Sequence, residues 1–162
     1  MWSDWYANGM QPNYRKEPHM LANTEHDIYG HDTIGMVAID VNGSIACGTT
    51  TNGAAHKIPG RVGDSPVMGA GAYCETGIGG ATQTGDGDQM MIFLPSFAAV
   101  GYMRNGDSPT EACEKAVAPI SKYYPSATGA LICLNAAGEW GGAKIGMDSF
   151  SFSVRNASMT SV

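Results

Sequence analysis

A chain of 162 residues, 43% of them hydrophobic, is long enough for one domain with its own core or for part of a larger one. A net charge of −6 with only 15% charged residues argues against nucleic acid or an anionic membrane surface as the main partner, and no apolar run reaches the length of a membrane span. The four cysteines contain no Cys-x-x-Cys pair, which disfavours a zinc site, and the opening MWSDWYANGMQPNYRKEP lacks the apolar centre of a signal peptide.

Residues 1–32 are aromatic, polar and proline-containing with little periodicity, and read as a helix end followed by an irregular linker. From Thr33 the pattern changes. TIGMVAID and SIACGTTT predict a β-hairpin, with Asn42-Gly43 as a type I′ turn signal. VMGAGAYCE and IGGATQT predict a second strand pair, whose small residues suggest closely packed backbones. DGDQMMIFLPSFAAVGYMRNG predicts a helix that Pro95 kinks or interrupts. A second helix follows with clear start chemistry: Ser108 as N-cap, Pro109 at the first helical position and Glu111 completing a capping box. ATGALICLNAAGEWGGAKI predicts another hairpin and SFSFSVR a last alternating strand. Strands, two helices and strands again point to an α+β fold with helices layered on a sheet.

Four polar clusters interrupt this apolar pattern: His31-Asp32-Thr33, TTTNG at 49–53, GRVGDSP at 60–66 and TQTGDGD at 82–88. Each has an ordinary explanation. Strands favour threonine, so Thr33, Thr51 and Thr84 fit as strand residues. Arg61 and Asp64 fit as a surface ion pair of small energetic value. Gly85 and Gly87 fit as a turn into a helix, and His26 and His31 without a third ligand read as solvated loop residues rather than a metal site. The Asn-x-Ser sequons at Asn42 and Asn156 matter only in a secreted chain.

Taken together, the clusters fit one chemistry. Threonine becomes a nucleophile when a base removes its proton, and an N-terminal α-amine with a pKa of about 7.7–8.0 is matched to that task. A chain break after Asp32 would put amine and hydroxyl on one residue, Thr33. Arg61 offers a fork for a carboxylate and Asp64 a partner for an ammonium, which together suit the head of an α-amino acid. The Thr84 hydroxyl and the Gly85 N–H could form an oxyanion hole.

The stretches HDTIGMV, TTTNG, GRVGDSPVMGAGAY, ATQTGDGD and DQMMIFLPSFAAVGYMRNGDSPTEAC resemble the glycosylasparaginases, a family of N-terminal nucleophile hydrolases. The resemblance runs from about Asp4 to near the C-terminus, and the spacings of Thr33, Thr51, Arg61, Asp64 and Thr84 match the animal enzymes. It implies a four-layer αββα sandwich, here mainly the β-subunit half. Residues 1–32 would be the tail of the α-subunit with its linker, and 33–162 the catalytic β-subunit part. It further implies autocleavage between Asp32 and Thr33, with Thr33 as nucleophile supported by Thr51. Arg61 would take the substrate α-carboxylate, Asp64 its α-amine, and Thr84 with Gly85 the oxyanion. The substrate would be a glycosylasparagine, with no metal or organic cofactor. The missing α-subunit portion would be the partner, in an (αβ)2 heterotetramer, and the setting would be the lysosome in animals or a periplasmic or secreted one otherwise.

Cys113 and Cys133 match a cysteine pair that is disulfide-linked in animal members, while Cys47 and Cys74 have no such match and are expected free and buried. With most of an α-subunit lacking, a sheet edge and an apolar face should lie uncovered. Two other readings stay open. The plant-type asparaginases, or isoaspartyl peptidases, share the threonine, GRVGDSP and the Thr-Gly pair. They usually have Gly before the nucleophile, and Thr-Gly-Gly where this chain has Thr51-Asn52-Gly53. The second is a non-catalytic fragment that binds without turnover.

Overall fold

A computed structural model describes residues 2–7, 9, 33–54 and 57–159. A short helix, α1 (Trp2–Ala7), agrees with the helix end expected there; most of the linker, with His26, His31 and Asp32, lies outside the described residues. Next, β1 (Thr33–Ile39) and β2 (Ile45–Thr51) pair antiparallel, from Thr33 opposite Thr51 to Ile39 opposite Ile45.

The connection between them differs from the type I′ turn expected at Asn42-Gly43. That turn needs positive φ at both central residues, and only Gly43 has it, at 82°. The Gly43 N–H donates to the Asp40 carbonyl at 3.0 Å and the Asp40 N–H to the Ser44 carbonyl at 2.9 Å, so Val41-Asn42-Gly43 forms a longer loop. The Asp40 carboxylate selects it by accepting the Asn42 and Ser44 N–H groups, each at 2.8 Å. Those same bonds hold the Asp40 carboxyl below the ordinary aspartate range.

A second sheet holds four antiparallel strands in the order β3 (Ala72–Glu75), β4 (Gly79–Gly85), β5 (Gly129–Asn135) and β6 (Trp140–Ile145). The first hairpin lies on one face of this sheet, and the helices α3 (Pro95–Arg104) and α4 (Pro109–Tyr123) cover the other. Covered on both sides, β4 is buried from Gly79 to Gln83. Its small residues allow this: a Cβ on Gly80 would stand 2.6 Å from Val37 Cγ1 on β1. The hairpin alternates accordingly, with Val37 and Ile39 facing inward, while Ile34 and Met36 face outward and stay 63% and 64% exposed.

Pro95 interrupts the first helical segment as expected. The helix α2 (Gly87–Phe93) ends at Leu94, whose φ of 49° breaks the helix, and Pro95 opens α3. The capping box of α4 is present: Ser108 Oγ accepts from the Glu111 N–H and the Glu111 carboxylate from the Ser108 N–H. From that cap α4 buries Ala112, Cys113, Ala116, Val117 and Ile120 against a core containing Met90, Val100 and Leu131.

A disulfide joins Cys113 on α4 to Cys133 on β5, with the Cα atoms 6.3 Å apart and a sequence separation of 20. It fastens the helical layer to the sheet. Replacing Cys113 by serine is expected to cost about 3 kcal/mol, read as a lower urea midpoint in an oxidised sample. No loss would mean that the bond contributes nothing to stability.

The last expected strand is a correction: SFSFSVR, residues 149–155, forms no strand. Alternation places side chains but supplies no ladder partner. Here Phe150 and Phe152 pair with each other at 5.9 Å, and the Phe152 ring lies against Gly142 of β6.

Candidate functional site

Thr33 opens β1 and Thr51 closes β2, and the hairpin register sets them opposite each other. Their hydroxyl oxygens are 3.0 Å apart. Thr51 Oγ1 also accepts the Gly53 N–H at 2.9 Å. Gly35 of β1 lies against Thr82 of β4, and Val37 lies against Gly80. Continuing in steps of two along both strands brings Thr33 to the level of Thr84. Thr84 and Gly85 end β4, where Gly85 pairs with Gly129 at a φ of 154°. A side chain at Gly85 would meet Met90 Cε at 2.4 Å and the Thr128 carbonyl at 2.8 Å, so only glycine fits.

The loop GRVGDSP forms one wall of a cavity of about 410 Å³ whose other wall is Thr49–Gly53. Thr49 Oγ1 donates to the Ser65 carbonyl at 2.8 Å and pins loop to hairpin. Thr51, Arg61 and Asp64 line this cavity; Thr33, Thr84 and Gly85 do not line it, and Thr33 reaches it through Thr51. Lys57 adds a positive charge at the rim, its Nζ donating to the Asn52 carbonyl at 3.0 Å.

Arg61 does not pair with Asp64, as the surface-pair reading supposed. Its partner is Asp88 in the first turn of α2, with Nε at 3.0 Å and Nη2 at 2.9 Å from the carboxylate. The Arg61 side chain is 15% exposed and that of Asp88 68%, so the pair adds little stability and chiefly fixes the guanidinium plane. Asp64 is 8% exposed and accepts a hydrogen bond from the amide of Gln83 on β4. Burial pushes its carboxyl above the ordinary aspartate value, while Gln83 and the Arg61 charge pull the other way. Gly87 lets both groups approach: a Cβ there would be 2.6 Å from Asp64 Oδ1 and 3.0 Å from Arg61 Nη2.

Sequence reasoning missed Asp88, Gln83 and the close fit at Gly87. Asp88 carried a usable signal, an acid in the first turn of a helix beginning in the same glycine-rich cluster. Gln83 carried none, because a polar residue in a strand usually faces water. Chemically, the arrangement offers paired hydroxyls next to a cavity that presents one cationic fork and one buried carboxylate.

The profile of the family Asparaginase_2, described as asparaginase, matches residues 1–162. The chain is similar to the N(4)-(beta-N-acetylglucosaminyl)-L-asparaginase of Rattus norvegicus, 48% identical over 177 residues that cover 96% of this chain and 51% of the relative. The enzyme of that name from Mus musculus is 45% identical over 181 residues, with 96% and 51% covered. A putative N(4)-(beta-N-acetylglucosaminyl)-L-asparaginase of Drosophila persimilis is 44% identical over 186 residues, with 100% and 48% covered. The chain thus spans about half the length of the curated relatives it matches.

Proposed function

Because the chain belongs to the asparaginase family Asparaginase_2, we propose that it is the nucleophile-bearing part of an amidohydrolase that splits N-acetylglucosamine from asparagine. The observation that carries this reading is the 3.0 Å contact of the Thr33 and Thr51 hydroxyls at the head of a strand, beside a cavity holding Arg61 and Asp64.

Thr33 Oγ first attacks the Asp32 carbonyl carbon. The peptide C–N bond breaks, giving an ester and a free Thr33 α-amine, and water hydrolyses the ester. In turnover the α-amine takes the proton from Thr33 Oγ, aided by the Thr51 hydroxyl, and the oxygen attacks the side-chain amide carbon of the substrate. Arg61 holds the substrate α-carboxylate through its planar fork, and Asp64 holds the α-ammonium. The Thr84 hydroxyl and the Gly85 N–H stabilise the oxyanion. The glycosylamine leaves with the proton returned by the α-amine, and water then releases aspartate.

The outer face of the first hairpin supports a partner layer. Ile34 and Met36 stand exposed there, and the apolar surface they form suits the rest of an α-subunit, which would complete a four-layer αββα sandwich. An (αβ)2 heterotetramer and a lysosomal setting, as in animal glycoprotein breakdown, belong to the same reading. Its test is a full-length precursor given a glycosylasparagine and a β-aspartyl dipeptide in parallel. Faster aspartate release from the glycosylasparagine is expected, together with an intact mass that shows cleavage between Asp32 and Thr33. A preference for the dipeptide would move the chain to the plant-type asparaginases, and turnover of neither would leave a binding fragment.

A further inference from the structure

The two cysteines outside the Cys113–Cys133 bond are Cys47 on β2 and Cys74 on β3. Both are half-buried rather than buried as the sequence reading expected, and they belong to different sheets. Three contacts bring them to one point. Cys74 Sγ donates to the carbonyl of Ile45 at 3.6 Å, and Ile45 precedes Cys47 by two residues on the same inward face of β2. Cys47 pairs across the hairpin with Val37, and Cys74 pairs across its sheet with Gly80. Gly80 in turn receives Val37 Cγ1, Ile45 Cγ2 and Cys74 Cβ within 3.4 Å of where its Cβ would be. The Cys74 thiol is near enough to Cys47 to add to the upward push that burial gives the Cys47 thiol. The β2 N-terminus is tied to the end of β3 a second time, the Ile45 N–H donating to Thr76 Oγ1 at 3.2 Å.

We propose that Cys47 and Cys74 form a second, reversible disulfide that staples the β1–β2 hairpin to the four-stranded sheet. The existing Cys113–Cys133 bond suits an oxidising compartment, where a pair of neighbouring thiols is open to oxidation. The bond would join the hairpin that carries Thr33 and Thr51 to the sheet that carries Thr84 and Gly85. The two sides of the candidate site would then keep their spacing when the hairpin loosens.

The oxidant is a low-molecular-weight disulfide such as glutathione disulfide. A Cys74 thiolate attacks one of its sulfurs, forming a mixed disulfide and releasing one glutathione thiolate. The Cys47 thiolate then attacks the Cys74 sulfur and releases the second. Two cysteine thiols become one disulfide, and one glutathione disulfide becomes two glutathione thiols. Burial and the neighbouring thiol push the Cys47 thiol up to about 12, which makes Cys47 the slower nucleophile and assigns it the second step.

The full chain, equilibrated in a glutathione redox buffer, is quenched with an alkylating reagent and digested without reduction. Mass spectrometry is expected to find a peptide pair joined through Cys47 and Cys74 beside the Cys113–Cys133 pair. In Cys47→Ala and in Cys74→Ala the joined pair is lost while Cys113–Cys133 remains, which also shows that each variant has folded. Alkylated or singly glutathionylated Cys47 and Cys74 beside an intact Cys113–Cys133 bond would overturn the proposal, and so would exchange of either thiol into that bond. The measurement needs no catalysis, so its failure would leave the assignment of Thr33 untouched.

Discussion

Thr33→Ala leaves a full-length precursor uncut at Asp32–Thr33 and lowers amide hydrolysis by at least about 10³-fold. Both losses have one cause in the proposed mechanism, where a single hydroxyl serves as nucleophile in processing and in turnover. The fold should survive. The substitution removes the γ-oxygen and γ-methyl at a strand end and the hydrogen bond to Thr51 Oγ1, the bond being worth about 1 kcal/mol. Thr33→Ser keeps the hydroxyl and the α-amine, so it retains part of both reactions. Intact mass reads the cleavage and released aspartate reads the turnover. Normal processing of Thr33→Ala would remove Thr33 from the nucleophile role.

Under the proposed function, Asp64→Asn is expected to abolish binding of aspartate, the proposed product, and to raise thermal stability at neutral pH. The two effects move in opposite directions for one physical reason. The carboxylate is buried at 8% exposure, with the Gln83 amide and the Arg61 charge only partly compensating. Burial raises its pKa above the unfolded value of about 3.9, so the folded chain holds this proton to a higher pH than the unfolded one. The contribution of Asp64 to stability is therefore full below the unfolded value and declines as pH rises through the folded one.

Asparagine carries no charge to bury, and its amide can donate to Gln83 Oε1, which has no partner among the described residues. Wild type and variant should melt alike at low pH, with the variant more stable at neutral pH. Binding is expected to run the other way, since in the proposed function the substrate ammonium needs the ionised carboxylate, so wild-type affinity should fall as pH drops through the raised pKa. Calorimetric titration with aspartate and melts at two pH values check both. Unchanged aspartate binding in Asp64→Asn would exclude Asp64 as the ammonium partner.

Features governed by neighbouring residues were legible in the sequence. The Ser108–Glu111 capping box, the helix break at Pro95 and the pairing of β1 with β2 each depend on a few adjacent residues or one alternating pattern. The Thr33–Thr51 contact follows from hairpin register alone. Tertiary structure decided what crosses between elements. Arg61 meets Asp88 across 27 residues and Asp64 meets Gln83 across 19, because the GRVGDSP loop lies against the β4–α2 junction, a placement set by packing of the hairpin on β4. The aromatic alternation of residues 149–155 named a face but not a ladder partner; Phe150 and Phe152 pair with each other, and the segment forms no strand. Asn42-Gly43 marked the turn, yet the Asp40 carboxylate settled its length. Local patterns act through torsions and adjacent hydrogen bonds, whereas partners distant in the chain are chosen only when apolar layers close and fix which polar groups must meet.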